Sequence, residues 1–421
     1  MSKRRHARRY PALLALLIFG GLAALPWLHP LNATPPWVLQ AKTAVPVKLP
    51  PAPPKLAPVK LSSFSEPVDP RGPRARVPAA SSTVLSDLVT SQNNLMRRLL
   101  NSSYHITTPT ILDLPNSLPA LVLPARPAPY TLADLATAGV AVPWDRPGWY
   151  LLADAVFVAP SATLDIGGAG LGNLLLGSSG AGFTWIATWG GTITLAGSAT
   201  NPLSVAGWDE AANHPAQPSN AGRPYIRAIG GQLNAEYVHF SNLGFWSGPT
   251  GGVAWTGTSG VAASGEAIGS TFTGDTYGAF ASDSYHVRFI DDLFESNQLD
   301  GLRLHRGADN STATGSAAVR NGEDGFVVSR ADDDVLRGDV AENNGSDGFL
   351  LDGEPVDSGA SPSGRQSVPS TGSVLARSKS AGNGHYGVEV DGGVGTVVED
   401  NAVCSSSTAI SLRLGAVDTS V

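Results

Sequence analysis

A histidine with arginines near it in a repeated phrase is the group of residues in this sequence best suited to chemistry. His305 ends the phrase Asp-Gly-Leu-Arg-Leu-His, residues 300–305, and Arg330 follows the phrase Asp-Gly-Phe-Val-Val-Ser, residues 324–329. An imidazole is a base near neutral pH, and a guanidinium binds carboxylates. Together they can remove a proton from a carbon next to a carboxylate and stabilise the negative charge that develops. The pattern indicates chemistry on an acidic molecule.

The phrase recurs, and its spacing predicts which side chains share a surface. A period near 23 with one short strand per repeat is typical of a solenoid. Stacked strands lie ~4.8 Å apart, so equivalent outward residues form columns. On this spacing His305 and Arg330 are the predicted catalytic pair. The predicted substrate contacts on the same and adjoining repeats are Arg303, Arg306, Ser329 and Asp352. The glycines of the phrase, Gly278, Gly301, Gly325, Gly348 and Gly387, are 23, 24, 23 and 39 residues apart.

Alternation within each phrase predicts strands with one buried face. Leu302 and Leu304, with their equivalents in later repeats, are expected inside the coil. The asparagines four residues before four of these glycines predict an internal amide ladder at one corner. We therefore predict an all-β fold, a right-handed parallel β-helix. The long last step, with its Ser/Pro/Gly-rich excess near Glu354–Gly372, predicts a mobile loop beside the groove. The asparagines are Asn297, Asn321, Asn344 and Asn383.

Composition narrows the classes of partner and cofactor. Of 28 basic and 35 acidic residues, 12 and 2 lie in residues 1–78, which leaves 16 and 33, or −17, for the rest. This acidic excess argues against a nucleic-acid partner. The single cysteine, Cys404, excludes an intrachain disulfide and is expected to be a small buried apolar residue. Because no nucleotide-binding, zinc or Ser-His-Asp pattern occurs, we expect no cofactor and no metal.

The N-terminal part of the sequence predicts export. A cluster of basic residues precedes an apolar run, residues 11–28, as in a signal peptide or signal anchor. Basic residues before such a segment stay in the cytoplasm, so the rest is expected outside it, periplasmic or at the cell surface, anchored through this run or secreted after cleavage. Contact with a membrane is expected only here. The predicted divisions are a signal peptide or anchor, 1–30; a Pro-rich spacer, 31–78; a connector or cap region, 79–144, with a helix in 81–100; and the β-helix domain, 145–421.

Three stretches of the sequence resemble a known family. Residues 205–208, 222–231 and 270–278, with the phrases that follow, are similar to the periplasmic mannuronan C5-epimerases, which convert mannuronate to guluronate within alginate. In that family a Tyr-Gly-Ile-Asp-Pro-His-Asp-Arg-Ser strand carries the catalytic histidine, and a Val-Ser-Arg coil carries an arginine that neutralises the substrate carboxylate. The resemblance, over roughly residues 145–400, places His305 and Arg330 at these positions. From Asp-Pro-His-Asp-Arg-Ser only the histidine is kept.

The expected activity is therefore C5-epimerase-like chemistry on an acidic exopolysaccharide, with other exopolysaccharide export proteins as candidate partners. A uronate polysaccharide lyase is an alternative, because it shares the first proton abstraction and differs in expelling the C4 oxygen. A non-catalytic polysaccharide-binding or assembly protein is the other alternative. Two acidic runs, Asp291-Asp292 and Asp332–Asp334, raise the further ideas of a hydrolase carboxylate pair and of calcium binding. An acidic turn between coils is the simpler interpretation of Asp332–Asp334, and Asp291-Asp292 lies off the strands of the repeated phrase.

Overall fold

The computed structural model describes residues 79–168, 171–179, 182–258, 260–353, 370–404, 406–413, 416 and 418–421. The predicted signal segment and Pro-rich spacer lie outside these residues, and so does most of the predicted loop at 354–372. No described helix has the length and apolar character needed to cross a membrane.

Short strands dominate the described chain. The helices are α1 Ala79–Ser103 and α2 Leu132–Thr137, with a 3₁₀ turn at Gly248–Thr250. The strands are β1 Thr110–Leu112, β2 Ala120–Leu123, β3 Tyr130–Thr131, β4 Ala141–Pro143, β5 Trp149–Leu152, β6 Ala155–Val158, β7 Thr163–Gly167, β8 Asn173–Ser179, β9 Gly182–Phe183, β10 Trp185–Trp189, β11 Thr192–Ala196, β12 Leu203–Asp209, β13 His214–Pro215, β14 Tyr225–Ile229, β15 Gln232–Glu236, β16 Val238–Ser241, β17 Val253–Thr256, β18 Ala263–Ile268, β19 Thr271–Thr273, β20 Ala279–Ile290, β21 Leu293–Glu295, β22 Leu302–Asp309, β23 Thr312–Thr314, β24 Ala317–Val319, β25 Phe326–Ser329, β26 Val335–Arg337, β27 Val340–Glu342, β28 Phe349–Asp352, β29 Val374–Ala376, β30 Lys379–Ala381, β31 Tyr386–Asp391, β32 Val397–Glu399, β33 Ala402–Cys404 and β34 Thr408–Arg413.

Parallel pairing between successive coils arranges these strands in three faces. Face 1 stacks β2, β6, β10, β14, β17, β20, β22, β25, β28, β31 and β34. Face 2 stacks β3, β7, β11, β15, β18, the second half of β20, β23, β26, β29 and β32. Face 3 runs from β5 to β33. The fold is a parallel β-helix, as the repeat predicts, and β2 and β3 already belong to its first coil.

The interior of the coil is built as the alternation predicts. Leu302, Leu304 and Val328 have no exposed surface, and Phe326 and Phe349 stack with ring centroids 5.1 Å apart. The asparagine ladder is also confirmed. The Nδ2 atoms of Asn297, Asn321 and Asn344 each donate to the Oδ1 of the next asparagine at 2.9–3.0 Å, and Asn383 Nδ2 donates to Ser380 Oγ at 2.8 Å. Because the first three amides each bond to the next coil, the ladder fixes the coils in register as well as satisfying buried polar groups.

Helix α1 covers the outer surface of face 1 in the early coils. Its Leu95, Met96 and Leu99 are buried with Phe157 and Trp185 of the strands beneath. The expected helix is thus present. At the other end of the molecule the expectation for Cys404 is wrong: it is exposed. Cys404 ends β33, where alternation directs Val403 inward and its two neighbours outward.

Candidate active site

The register of face 1 aligns the predicted groove residues. His305 pairs with Ser282 on one side and with Ser329 on the other, and Ser329 pairs with Asp352. These residues form one outward column, which continues to Asp391. Arg303 belongs to the neighbouring outward column, between Phe280 and Val327 in the sheet. The repeat spacing therefore predicted the alignment of these side chains.

Arg306 and Arg330 lie where the chain bends out of face 1. Both have positive φ, 34° for Arg306 and 58° for Arg330. Residues other than glycine seldom adopt this region, and the equivalent residue two coils beyond Arg330 is Gly392, with φ 77°. Positive φ recurs where the chain leaves a strand in this fold, as at Asp283 in the equivalent position of the preceding coil, φ 47°. The charges of both guanidinium groups act on His305, which lies on the same coil, or rung, as Arg306 and one rung before Arg330.

His305 is mostly buried in a cationic environment. Its ring centroid lies 5.8 Å from that of Phe280, and its Nδ1 is buried with no hydrogen-bond partner among the described residues. Burial lowers the pKa of His305 to about 3, and the positive charges of Arg303, Arg306 and Arg330 act in the same direction. The imidazole is therefore neutral at pH 7, with a lone pair available to accept a proton.

A buried carboxylate holds Arg303. Its Nη1 donates to Asp300 Oδ2 at 2.6 Å, and Asp300 has no exposed surface. Burial alone would lower the pKa of Arg303, but Asp300 and Tyr277 outweigh it and raise the pKa above its ordinary value. Arg303 thus stays charged and fixed in orientation. Asp300, which the sequence did not single out, is the residue that positions it.

On the next rungs, polar side chains contact one another. Arg330 Nη2 lies 3.6 Å from Asp352 Oδ2, and the Ser329 hydroxyl donates to that same oxygen at 2.9 Å. Ser329 has no exposed surface, so it orients Asp352 and offers nothing directly to a ligand. An anionic ligand at Arg330 would compete with the Asp352 carboxylate.

An inserted corner segment bounds this site on the side of the early coils. The corner loop, residues 243–252, connects face 3 to β17 and packs its Gly248 against the ring of Phe280. Arg223 is buried beneath it and donates to the carbonyls of Leu243 and Gly244, each at 2.8 Å. Burial lowers the pKa of Arg223 to about 10, so it remains cationic at neutral pH. No repeated motif marks this loop in the sequence.

Tyr277 is a second titratable group near the histidine. Its ring centroid is 5.8 Å from that of Phe280, and the centroids of Phe280 and His305 are also 5.8 Å apart. Burial raises the pKa of Tyr277, with the negative charge of Asp300 as the next contribution, so its phenol remains protonated and can donate. Tyr285 is different: it is exposed and stacks on His286 with centroids 4.0 Å apart.

Three residues beyond the groove have the types that bind metals. Ligand atoms of Asp347, His385 and Glu389 all lie within 4.8 Å of one another. Glu389 already accepts from Arg413 Nη1 at 3.0 Å, and Asp347 accepts from the Tyr386 backbone N–H at 2.9 Å. Burial, helped by the neighbouring Glu389, raises the pKa of Asp347 to about 7. A protonated Asp347 carboxyl beside Glu389 accounts for the proximity of these two groups without an ion.

The acidic runs that raised other functions have structural roles. Asp292 Oδ1 accepts the Ser270 N–H at 2.7 Å, and Asp334 Oδ1 accepts the Ser311 N–H at 2.7 Å. Both carboxyls are buried, and burial raises the pKa of each. They satisfy backbone donors at corners of the coil, which supports the simpler interpretation of Asp332–Asp334 as an acidic turn.

Comparisons with known proteins agree with the geometry of the coil. Residues 251–421 match a family model described as "Right handed beta helix region". No curated protein sequence matches the chain. The structure is similar to that of a double mutant of the periplasmic alginate epimerase AlgG, with 16% identity, 70% of this chain and 74% of that chain covered, and a TM-score of 0.53.

Two further solved structures are more distant. The Azotobacter vinelandii mannuronan C-5 epimerase AlgE6 A-module has 14% identity over 63% of this chain and 89% of that one, with a TM-score of 0.30. Pectate lyase Pel9A has 14% identity over 56% and 70%, with a TM-score of 0.29. At identities this low, similarity between structures shows the fold alone. The described chain is a right-handed parallel β-helix, like AlgG.

Proposed function

We propose that the protein binds an acidic polysaccharide along face 1 and inverts C5 of a uronate residue, with His305 as the base. The observation that carries this proposal is the register that places His305 and Arg330 on adjacent rungs, with Arg303 and Arg306 beside the imidazole. AlgG, whose structure is similar, is by its name an alginate epimerase, and alginate is an acidic polysaccharide.

The proposed reaction uses these groups in two steps. His305 takes the C5 proton, and the electron pair of the broken C–H bond moves into the carboxylate, which becomes a doubly negative aci-carboxylate. Guanidinium groups stabilise that added charge, because they are already oriented and partly removed from water. Return of a proton to the opposite face of C5 completes the inversion. Tyr277 or water is the proposed donor.

The low pKa of His305 is consistent with this role in the complex. Burial is the largest cause of the low pKa, and the charges of Arg303, Arg306 and Arg330 add to it; a uronate carboxylate among these arginines offsets part of that second contribution. Substrate binding therefore raises the basicity of His305 at the site where a proton must be accepted. An uncharged sugar would leave that basicity low.

The proposal extends to the location of the protein and to its divisions. We propose residues 1–30 as a signal peptide or anchor, 31–78 as a spacer, 79–144 as a connector and cap, and 145–421 as the catalytic domain in the periplasm or at the cell surface. The basic cluster followed by an apolar run supports export. Other export proteins are proposed partners, and no nucleic acid is expected.

Incubation of the full chain with polymannuronate in D₂O tests the activity. Deuterium at C5 with an altered ratio of the two uronates is the expected result. Unsaturated chain ends would instead identify a lyase, and binding without either product would identify a binding protein. His305→Ala should abolish the exchange. His286→Ala, at a histidine stacked on Tyr285 outside the column, is the matched control and should retain it.

A further inference from the structure

We propose that Trp246, on the corner loop, is a platform on which a sugar ring of the substrate stacks beside the His305 rung. This inference rests on the proposed function and adds a binding subsite to it. It starts from an exposed aromatic residue that has an unusual backbone conformation and lies on the loop that bounds the site. The packing of the coil does not require an aromatic residue there.

The corner loop is an insertion in an otherwise regular corner. In later coils the corner begins at a residue with positive φ and reaches the phrase glycine four or five residues on, as from Gly274 to Gly278 and from Ser296 to Gly301. The corresponding residue here, Asn242, has φ 56°, and the chain reaches Gly252 only after ten residues. Five or six extra residues therefore leave the coil at this corner, in the segment that contains Trp246.

The extra residues lie over the outer surface of face 1. Phe280 occupies an outward column of that face, and a Cβ added at Gly248 would overlap its ring. A Cβ added at Gly251 would likewise meet the ring of Tyr277. The loop thus forms a wall that leaves Phe280 only 5% exposed, and the ring of His305 lies beside that of Phe280, with centroids 5.8 Å apart. Trp246 is two residues from Gly248, so their Cα atoms are at most ~7 Å apart.

Contacts on both sides of Trp246 hold the loop in one conformation. Phe245 is buried against Phe183, with ring centroids 5.2 Å apart. The Phe245 N–H donates to the Thr250 carbonyl at 2.8 Å, and the Thr250 hydroxyl donates back to the Phe245 carbonyl at 2.9 Å. Arg223 fixes the preceding two carbonyls. A side chain on such a frame loses little freedom when a ligand binds.

The backbone at Trp246 is strained. Its φ is 58°, and the Ser247 N–H donates to the Phe245 carbonyl at 2.8 Å, which makes Trp246 the centre of a γ-turn with positive φ. This turn is rare, and a bulky residue is unfavourable in it. Trp246 is nonetheless 37% exposed, and the other tryptophans among the described residues are buried or partly buried. Packing in the core therefore does not account for the tryptophan.

The chemistry of a uronate polymer matches this arrangement. A pyranose ring has a face of C–H groups that packs on an indole, while its carboxylate requires a cation. The arginines around His305 supply the cations, and Trp246 belongs to the loop whose Gly248 abuts Phe280, the aromatic neighbour of His305. Trp246 would hold a neighbouring sugar by its uncharged face and so fix the position of C5 at the imidazole.

Binding of a defined oligomannuronate to the full chain, measured by calorimetry and by tryptophan fluorescence, tests the inference. Trp246→Ala should weaken affinity about tenfold or more, and Trp246→Phe should keep most of it while losing the ligand-induced change in fluorescence. Trp246→Gly should bind as poorly as the alanine variant yet melt at the same or a higher temperature, because glycine relieves the positive φ. Tyr104→Ala, at an aromatic residue that is 68% exposed at the end of α1, is the control and should bind normally.

The outcomes separate this inference from the proposed function. Wild-type affinity in Trp246→Ala, or an unchanged fluorescence response in Trp246→Phe, would overturn the platform even if C5 exchange occurs. Binding that depends on Trp246 without any C5 exchange would overturn the activity and leave the platform in place. If the wild-type chain binds no oligouronate, both proposals are wrong.

Discussion

The Nη2 of Arg330 lies 3.6 Å from the Oδ2 of Asp352 on the following rung, so the arginine proposed to bind a substrate carboxylate already faces one. Both side chains are largely buried, with 15% and 18% of their surfaces exposed. An acidic substrate must therefore share or displace this contact. Under the proposed function, the pair would influence both the affinity for the substrate and its position.

Asp352→Asn should tighten binding of polymannuronate, because it removes the competing charge while keeping an oxygen for the Ser329 hydroxyl. An ion pair of this kind contributes about 1 kcal/mol, which corresponds to roughly a fivefold lower Kd. Calorimetric titration measures the change. Asp400→Asn, in an exposed pair with Arg377 at 3.9 Å, is the matched control and should leave Kd unaltered. Weaker binding by Asp352→Asn would show that the carboxylate contacts the sugar favourably.

His305→Ala and Arg330→Ala should differ in their kinetic effects. Loss of the base should lower kcat about 10²–10⁴-fold with little change in polymer affinity, since the proton moves only in the transition state. Loss of Arg330 should damage both kcat and KM, because its charge meets the carboxylate before the reaction and more strongly during it. Steady-state kinetics of C5 exchange gives both parameters. Full activity in His305→Ala would remove the histidine from the mechanism.

The pKa of His305 can be measured directly by NMR of its imidazole. In the free protein the signal should not titrate between pH 5 and 8, since burial and the three arginines lower the pKa to about 3. Arg303→Gln should raise this pKa, because it removes one of the positive charges that oppose protonation. Bound oligouronate should raise it as well. A free-protein pKa near the ordinary 6.5 would mean that the ring is hydrated and outside the field of the arginines.

Asp339 should make the stability of the coil depend on pH. Burial raises its pKa to about 7, whereas the unfolded chain has a value near 3.9. The folded state therefore binds more protons, so stability is full below about pH 4 and declines as pH rises toward 7. Each unit of pKa difference corresponds to about 1.4 kcal/mol.

Asp339→Asn should melt at a higher temperature than the wild type at pH 8 and at nearly the same temperature at pH 4. The amide keeps the oxygen that accepts the Ser316 N–H at 2.8 Å and carries no charge to desolvate. Calorimetry at the two pH values measures the difference. If Asp339→Asn raised the melting temperature equally at pH 4 and pH 8, a change in packing would explain the effect, and the titration of Asp339 would not. Glu399→Gln, at an exposed carboxylate on β32, should change neither transition.

Repetition explains what could be predicted from the sequence. Leu302, Phe326 and Phe349 are predicted as stacked core residues because each copy of the phrase faces the same neighbours. The same reasoning aligned His305 with Ser329. A one-residue shift in register would move the apolar side chains of each strand to the outer face. The apolar alternation therefore specifies the register strongly.

Features that occur once in the chain escaped prediction. The corner loop at 243–252 has no second copy to compare, and its fold depends on Arg223, which is twenty residues away in sequence from Leu243. The sequence marks Asp300 only as one copy of the repeated aspartate. Its contact with Arg303 occurs in one coil and could not be predicted from the repeat. Ser329 has the correct position in the column, but its burial depends on the packing of Asp352 above it.

Helix α1 and the corner loop have a consequence for how a polymer can move. Among the described coils, the outer surface of face 1 is covered up to Phe280, and the open surface begins at the His305 rung. A chain that lies along the axis from the later coils therefore meets a wall one step past the histidine. Under the proposed function, we expect the protein to act near one terminus of the polymer or on a chain that crosses the groove, and to release it after few turnovers. Successive epimerised residues along one strand of product should accordingly be short runs.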